Sequence, residues 1–200
     1  MKIWNLYAPL YETAMKPDQK LYDEVAELIR KRIRGKEVLE LACGPGNLSM
    51  MIASAAKKLT ATDYAERMIA RAKKKDNPFN ISFEQADAMN LPYKDGSFDA
   101  VVIANALHIV PEPEKVLEEI RRVLKPGGIL IAPNFVEHEK GKVSRAWTAL
   151  LKTAGVKFAH EWTAEQYYAF LEDQGWKITS RKEIPARNLL AYAEAEHENS

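Results

Sequence analysis

The chain has 200 residues, of which 46% are hydrophobic, and its 29 basic and 28 acidic side chains leave a net charge of +1. This length is typical of one α/β domain with a buried core, and the balanced charge lacks the basic surface by which proteins usually bind nucleic acid. The single cysteine, Cys43, excludes an internal disulfide and a multi-cysteine zinc site. We therefore expect a single domain over residues 1–200, with no metal site and no nucleic-acid partner.

Residues 1–35 are predicted to form an N-terminal arm followed by a helix. They lack the apolar core of a signal peptide, and no apolar run in the chain approaches the ~18 residues of a membrane span. We therefore expect a cytoplasmic protein without a membrane span, either a monomer or a homodimer. Asp18 is a candidate N-cap for the helix. Tyr11, in the aromatic arm, is a candidate to cover a bound cofactor, and ordinary packing of the arm is the alternative.

The next segment is predicted to be a buried strand that runs into a glycine turn and then a helix. Residues 38–41 form a short, mostly apolar run, and Gly44 and Gly46 let the backbone turn sharply and approach a ligand closely. This order predicts a nucleotide-like ligand. No Gly-Lys-Ser/Thr follows, so a phosphate-binding P-loop is excluded, and Ser49 replaces the third glycine of the dinucleotide fingerprint.

Four ordered motifs resemble those of one protein family, among them the following three. Residues 40–46, Glu-Leu-Ala-Cys-Gly-Pro-Gly, resemble motif I of the class I S-adenosylmethionine-dependent methyltransferases, and residues 87–101 and 122–128 resemble later motifs. The resemblance covers residues 36–134 and is greatest to the quinone and small-molecule branch. It implies an α/β fold with a seven-stranded, mostly parallel Rossmann-like sheet and helices on both faces. An antiparallel last strand and a small helical insertion after the fifth strand complete the expected fold.

Carboxylates are predicted at the ends of the second and third strands. Asp63 ends the strand 58–63, where the acid of a βαβ unit reaches ribose hydroxyls, and a helix N-cap is the alternative. Tyr64 and Met68 follow closely enough to flank an adenine ring. The resemblance implies that Asp87 accepts the exocyclic adenine amine, and the alternative is a loop aspartate that bonds its own backbone. The predicted residues binding S-adenosylmethionine, or its product S-adenosylhomocysteine, are Tyr11, Glu40, Ala42, Gly44, Gly46, Asp63, Tyr64, Met68, Asp87, Ala88 and Asn105.

The fourth strand, residues 98–104, delivers residues 105–108 to the carboxyl edge of the sheet, where ligands bind in open α/β folds. In the family this segment lies beside the methyl group, so the resemblance implies that Asn105 contacts the cofactor and that His108 faces the acceptor. A structural His108 is the alternative. Residues 136–162 are predicted to form a substrate lid, and a packing helix is the alternative. The predicted substrate-binding residues are His108, His138, Trp147 and His160.

The remaining elements carry no predicted chemistry. A helix that starts within residues 111–114 should pair Glu118 with Arg122 four residues on, and a strand should follow at 129–132. Thr163 and Gln166 have the spacing of a capping box at the start of another helix. Residues 176–184 and 188–193 are predicted to form a closing antiparallel pair, followed by a frayed acidic tail.

The predicted function is transfer of the methyl group of S-adenosylmethionine to a small-molecule acceptor by direct displacement. Where the acceptor loses a proton, His108 is the first candidate base. Two alternatives remain at this point: an NAD-type oxidoreductase, and a catalytically silent partner subunit that binds the cofactor. Methylation of a nucleic-acid base is disfavoured, because residues 105–108 lack the Pro-Pro-aromatic arrangement that holds a flipped base.

Overall fold

The computed structural model describes residues 18–137, 159–186 and 189–197. Of the predicted site residues, Tyr11, His138 and Trp147 lie outside these ranges, as do residues 138–158 of the predicted lid. Within the described ranges, no helix combines the length and the apolar character needed to cross a membrane.

The described part of the chain forms five α-helices and eight strands. The helices are α1 (Gln19–Ile33), α2 (Asn47–Ile52), α3 (Glu66–Ala72), α4 (Pro113–Val123) and α5 (Ala164–Asp173). The strands are β1 (Glu37–Leu41), β2 (Lys58–Asp63), β3 (Ile81–Gln85), β4 (Phe98–Ile103), β5 (Leu124–Ile131), β6 (Asn134–Val136), β7 (Trp176–Ile184) and β8 (Leu189–His197). Helices and strands alternate from α1 to β3, as the sequence predicts, and β4 then follows β3 without a helix between them.

All eight strands join one sheet in the order β3-β2-β1-β4-β5-β8-β6, with β7 on the other side of β8. The first five strands are parallel, and β8 runs antiparallel to β5, β6 and β7. β6 continues the line of β5, since residues 129–131 and then 134–136 pair along successive parts of β8. The predicted seven-stranded Rossmann-like sheet is therefore confirmed, with β6 as a short extension of its fifth strand.

Each face of the sheet is covered by helices because both faces of its central strands are apolar. Leu39 and Leu41 of β1 pack with α4 and α5, whereas Val38 packs with α1 and α2 on the opposite face. Alternate residues of a strand point to the same face of the sheet, so Glu40 lies on the same face as Val38, the one covered by α1 and α2, and it is buried there. This makes Glu40 a carboxyl group placed inside an apolar layer.

The direction of strand addition reverses between β1 and β4. The chain proceeds from β1 outward to β2 and β3, then returns to β4 on the other side of β1 and continues outward to β5. β1 and β4 pair in parallel, with Glu40 opposite Val102 and Leu41 opposite Ile103. Such a reversal opens a crevice beyond the carboxyl ends of the two strands, and this is where open α/β sheets bind ligands.

Two structural expectations are wrong. Arg122 does not pair with Glu118 but forms a two-bond ion pair with Glu119, at 2.8 Å from both Nε and a terminal nitrogen. The same guanidinium donates to the carbonyls of Leu91 and Tyr93, so its position is set by the loop before β4 as well as by its own helix. Lastly, the acidic tail is not frayed at its start, because β8 continues to His197.

Candidate functional site

The loop after β1 follows a path that ordinary residues rarely adopt. Ala42, Gly44 and Gly46 all have positive φ angles, of 54°, 57° and 77°. The left-handed region costs an L-residue about 1–2 kcal/mol, so the backbone of Ala42 is strained. The sequence predicts an unusual backbone conformation for Gly44 and Gly46 but not for Ala42. The Cys43 N–H donates to Thr62 O at 2.9 Å, which holds the start of the loop against β2.

Gly46 is required by packing as well as by its backbone angle. A Cβ at this position would lie 2.8 Å from the ring of Phe83 and 3.2 Å from Ala72. The sequence predicts that Gly46 lets the backbone approach a ligand closely. In the structure, the space that a side chain of Gly46 would need is occupied by Phe83 of β3 and Ala72 of α3. The loop therefore fits closely against the sheet.

Asp63 connects the loop to the next helix. Its Oδ2 accepts the Gly44 N–H at 2.8 Å, and its Oδ1 accepts the Ala65 N–H, just before α3, at 2.7 Å. Burial raises the pKa of the Asp63 carboxyl, and these two N–H groups oppose the increase. The predicted ribose ligand thus also has a structural role, because it fixes the backbone of the glycine loop.

Glu40 lies beneath this loop and has an unpaired oxygen. The residue is 1% exposed, and its Oε2 has no hydrogen-bond partner among the described residues. Burial raises the pKa of Glu40 to about 8, the nearby Asp63 adds to the increase, and the Ser49 hydroxyl opposes it. Burial of Glu40 therefore favours its protonated, uncharged form.

The residues predicted to surround the adenine differ in exposure. Tyr64 is 46% exposed, whereas Met68 is buried and Ala88 is partly buried against the core. Asp87 Oδ1 accepts the Met89 N–H at 3.0 Å, which is the backbone-bonding geometry named above as the alternative to an adenine contact. That bond uses one of its two carboxylate oxygens.

Asn105 lies just beyond the carboxyl end of β4, with a φ of 53°. Its N–H donates to Pro133 O at 2.8 Å, and its side-chain Nδ2 donates to the Tyr22 hydroxyl of α1 at 3.3 Å. The side-chain Oδ1 is buried and has no partner within the described ranges. Tyr22 was not found by sequence analysis, because its helical spacing gives no sign that it reaches the end of β4.

His108 is buried at the same edge and bonds to the start of β6. It is 8% exposed, and its Nδ1 lies 2.8 Å from Oδ1 of Asn134. Its backbone carbonyl accepts the N–H groups of Ala159 and His160, at 3.0 and 3.1 Å. Burial lowers the pKa of His108 to about 4, the bond to Asn134 opposes this, and His160 contributes to it. His108 is therefore a neutral imidazole at physiological pH.

His160 begins an aromatic stack that continues into α5. Its ring lies 4.9 Å from that of Trp162 and nearly parallel to it, and Trp162 stacks in turn on Phe170 at 4.8 Å. His160 Nε2 is buried without a hydrogen-bond partner among the described residues. The confirmed capping box of Thr163 and Gln166 fixes the start of α5. The structure thus brings the predicted substrate residues His108 and His160 together.

These features agree with the comparisons with known proteins. A family model described as "Methyltransferase domain" matches residues 39–132. The chain is 31% identical over 171 residues to a demethylmenaquinone methyltransferase of Clavibacter sepedonicus, covering 84% of this chain and 69% of that protein. The chain belongs to the S-adenosylmethionine-dependent methyltransferases, and it is an enzyme of that class rather than the NAD-type oxidoreductase considered above.

Other similar proteins differ in what their names say they methylate. The chain is 33% identical over 141 residues to a phosphatidylethanolamine N-methyltransferase of Cereibacter sphaeroides, covering 66% of this chain and 69% of that protein. The solved DhpI–SAH complex is similar with a TM-score of 0.76 and 25% identity, over 97% of this chain and 93% of that one. Three further curated relatives are longer, and the chain spans 37% to 50% of their length. Membership of the family therefore does not identify the methyl acceptor.

Proposed function

We propose that this chain transfers the methyl group of S-adenosylmethionine to a small-molecule acceptor, at the carboxyl edge of β1 and β4. The observation that carries the proposal is the pair of buried oxygens left without partners at the ends of these strands, Oε2 of Glu40 and Oδ1 of Asn105. Buried acceptors are nearly always paired in folded proteins, so two at one edge of the sheet are typical of a site that a donor-bearing ligand completes. We place this site in the cytoplasm, as a proposal.

The chemistry of these groups matches the proposed cofactor better than a dinucleotide. The cofactor has an ammonium group, ribose hydroxyls and an adenine amine, all of which donate hydrogen bonds, whereas a pyrophosphate accepts them. Glu40, Asp63 and Asn105 offer acceptors, and Asp63 keeps unused lone pairs after its two backbone bonds. Tyr11, Ala42, Gly44, Gly46, Tyr64, Met68, Asp87 and Ala88 are the other proposed contacts.

A bound cofactor supplies a sulfonium methyl group that is already activated for displacement. The protein then has to align the acceptor with the methyl carbon and exclude water, and it needs no nucleophile of its own. We propose His108 as the group that takes the acceptor's proton, since it lies at the same edge and is neutral at physiological pH. His138, Trp147 and His160 are the other proposed acceptor contacts, and residues 136–162 the proposed lid.

Cofactor binding is tested by calorimetry with S-adenosylmethionine, S-adenosylhomocysteine and NADH. We expect binding of the first two and none of the third, because the site offers oxygens where a pyrophosphate needs donors. In our proposal a donor group of the bound cofactor stabilises the carboxylate form of Glu40. Glu40→Gln keeps the volume but cannot form that carboxylate, so it should weaken S-adenosylmethionine binding about tenfold or more, the scale of a charged hydrogen bond. Unchanged affinity in this variant would contradict the proposed site.

Methyl transfer is tested with a panel of phenols, thiols, amines and quinones, with mass spectrometry of the products. His108→Ala should lower kcat by about 100-fold or more and leave cofactor affinity intact, as expected for loss of a general base. His197→Ala, a histidine at the end of β8 beside Trp176, is the matched control and should leave both unchanged. Cofactor binding without turnover of any acceptor would favour the catalytically silent subunit instead.

A further inference from the structure

The side chain of Asn134 is held in one orientation by two hydrogen bonds. Asn134 is 1% exposed and begins β6, immediately after the break that follows β5. Its Nδ2 donates to the carbonyl of Phe135 at 3.0 Å, and its Oδ1 lies 2.8 Å from Nδ1 of His108. A carbonyl oxygen only accepts, so the nitrogen of the amide must face Phe135 and the oxygen must face His108.

This orientation fixes the proton on the imidazole. The amide oxygen is an acceptor, so the ring nitrogen 2.8 Å from it must carry the hydrogen. A neutral histidine has one N–H, and the remaining nitrogen, Nε2, is then the unprotonated one. Asn134 thus selects the tautomer in which Nε2 is the basic atom.

The backbone holds both residues in place around this bond. The N–H of Asn105, three residues before His108, donates to the carbonyl of Pro133, directly before Asn134. From the other side, the N–H groups of Ala159 and His160 donate to the carbonyl of His108. These bonds connect the ends of β4 and β5 to the segment before α5, so the backbones around the histidine and the asparagine are joined by hydrogen bonds.

The geometry points to Asn134 as a positioning residue for methyl transfer, which holds His108 in the Nδ1–H tautomer so that Nε2 receives the acceptor's proton. This inference rests on the proposed function. In the step, a lone pair of the acceptor forms the bond to the methyl carbon, the carbon–sulfur bond breaks with its electron pair on sulfur, and the acceptor's proton moves to Nε2. The imidazolium then returns the proton to solvent.

Residue 134 is an amide and not a carboxylate, and this difference affects the charge of His108. His160 acts electrostatically on His108, and together with burial it disfavours the imidazolium. The amide dipole of Asn134 orients the ring but adds no full negative charge. Replacement by a carboxylate would keep the orientation and stabilise the imidazolium, which separates the two effects experimentally.

The tautomer is read directly by NMR of protein labelled with ¹⁵N-histidine. The chain has 4 histidines, and the His108 signals are assigned by their loss in His108→Gln. We expect the Nδ1–H tautomer in the wild type and a mixture or the Nε2–H tautomer in Asn134→Ala. An Nε2–H tautomer in the wild type, or an unchanged Nδ1–H tautomer in Asn134→Ala, would overturn the inference whether or not an acceptor is known.

The pH dependence of kcat supplies the second readout. Asn134→Asp, which is nearly isosteric and guards against misfolding of Asn134→Ala, should move the acidic limb of kcat upward by about 1–3 pH units. Asn134→Ala should lower kcat about tenfold or more with the KM for the cofactor unchanged, and should have no further effect in His108→Ala. Asn80→Ala is the matched control, since it removes side-chain bonds to Ala53 O and Ala56 O and should leave the pH profile in place.

The two proposals fail differently. Normal turnover by folded His108→Ala would remove the base from the proposed function, whatever the tautomer. Loss of turnover in His108→Ala together with an unmoved pH profile in Asn134→Asp would overturn only the role of Asn134.

Discussion

Removal of the Asp63 carboxylate should weaken both the ligand-free fold and cofactor binding. In Asp63→Ala, the N–H groups of Gly44 and Ala65 lose a charged acceptor at 2.8 and 2.7 Å. A hydrogen bond to a charged group contributes about 1.5–3 kcal/mol, and Asp63 is only partly buried, so the lower end applies to each bond. The expected loss in the free energy of unfolding is about 3 kcal/mol, which a domain of ordinary stability survives.

Asp63→Asn provides the intermediate case. An amide has one accepting oxygen, so it can keep one of the two backbone bonds, and the expected loss is about half as large, roughly 1.5 kcal/mol. Urea unfolding of the ligand-free proteins, followed by tryptophan fluorescence, measures their free energies of unfolding. The value should be highest for the wild type, intermediate for Asp63→Asn and lowest for Asp63→Ala. The same series should weaken S-adenosylmethionine binding by about 1–3 kcal/mol in calorimetry, because the acceptor of the ribose hydroxyls is lost.

Asp99→Ala is the matched control for Asp63→Ala. Asp99 Oδ2 accepts the Glu37 N–H at 2.7 Å, so this carboxylate holds the opposite end of β1. Its removal should lower stability and leave cofactor affinity unchanged. A wild-type urea midpoint in Asp63→Ala would refute the argument that Asp63 fixes the loop. Lower stability with unchanged cofactor affinity would reduce Asp63 to a structural residue.

Three further predictions concern stability. Burial raises the pKa of Glu40 to about 8, so between its ordinary value of 4.5 and 8 the folded state binds one more proton than the unfolded state. The free energy of unfolding should accordingly fall as pH rises through this window, by up to about 1.4 kcal/mol per pH unit. If Glu40→Gln showed the same pH dependence of unfolding as the wild type, this assignment to Glu40 would be wrong. Gly46→Ala should cost about 2–4 kcal/mol, from its positive φ and the contact with Phe83, whereas Gly35→Ala, with a φ of 70° and nothing within 4 Å, should cost only about 1 kcal/mol. Equal urea midpoints for these two variants would show that the contact is relieved without strain. Arg122→Ala should lower the free energy of unfolding by about 1–3 kcal/mol. Arg122→Lys keeps the charge but loses the planar set of donors, so its loss of stability should be nearly as large. A wild-type urea midpoint in Arg122→Lys would contradict the role of the hydrogen bonds made by the guanidinium.

The elements that sequence analysis predicted best are those with a purely local signal. The strand Lys58–Asp63 and the strand Trp176–Ile184 have the predicted bounds, and the capping box at Thr163 is formed. Each depends on a short apolar pattern or a fixed spacing, which the chain expresses without reference to distant residues. The mostly parallel Rossmann-like sheet with an antiparallel last strand was implied by the family resemblance rather than by these local patterns.

Expectations were wrong or incomplete where a distant partner decides the outcome. Helical spacing favours a pair between Glu118 and Arg122, but the carbonyls of Leu91 and Tyr93 draw the guanidinium toward Glu119. The acidic tail looked frayed by composition, yet Glu194 is buried in β8, where its carboxylate contacts Arg32 of α1 at 2.9 Å. Both contacts join parts of the chain whose proximity only the fold determines.

The candidate site shows the same division. Motif and position predict the glycine turn, Asp63 and His108 as site residues, whereas neither Asn134 nor Tyr22 belongs to a recognisable local pattern. Asn134 becomes interpretable only when β6 is seen beside the end of β4. All the assignments of cofactor and acceptor contacts stay predictions, and Tyr11, His138 and Trp147 lie outside the described ranges.

The position of β8 has a consequence for how the chain folds. β8 comes after every other described strand in the sequence, yet it lies inside the sheet, with β5 and β6 along one side and β7 along the other. During synthesis the edges of β5 and β7 therefore remain open until the last strand arrives, and open edges are where partly folded chains associate. Ile129 of β5 and Glu196 of β8 pair although they are far apart in the sequence. Such long-range pairing is slow, so the insertion of β8 between β5 and β7 should be a slow step of folding. A chain interrupted before Leu189 would thus leave the outer edge of β5 and β6 unpaired and β7 without the strand partner that it has in the structure, instead of forming a smaller native domain.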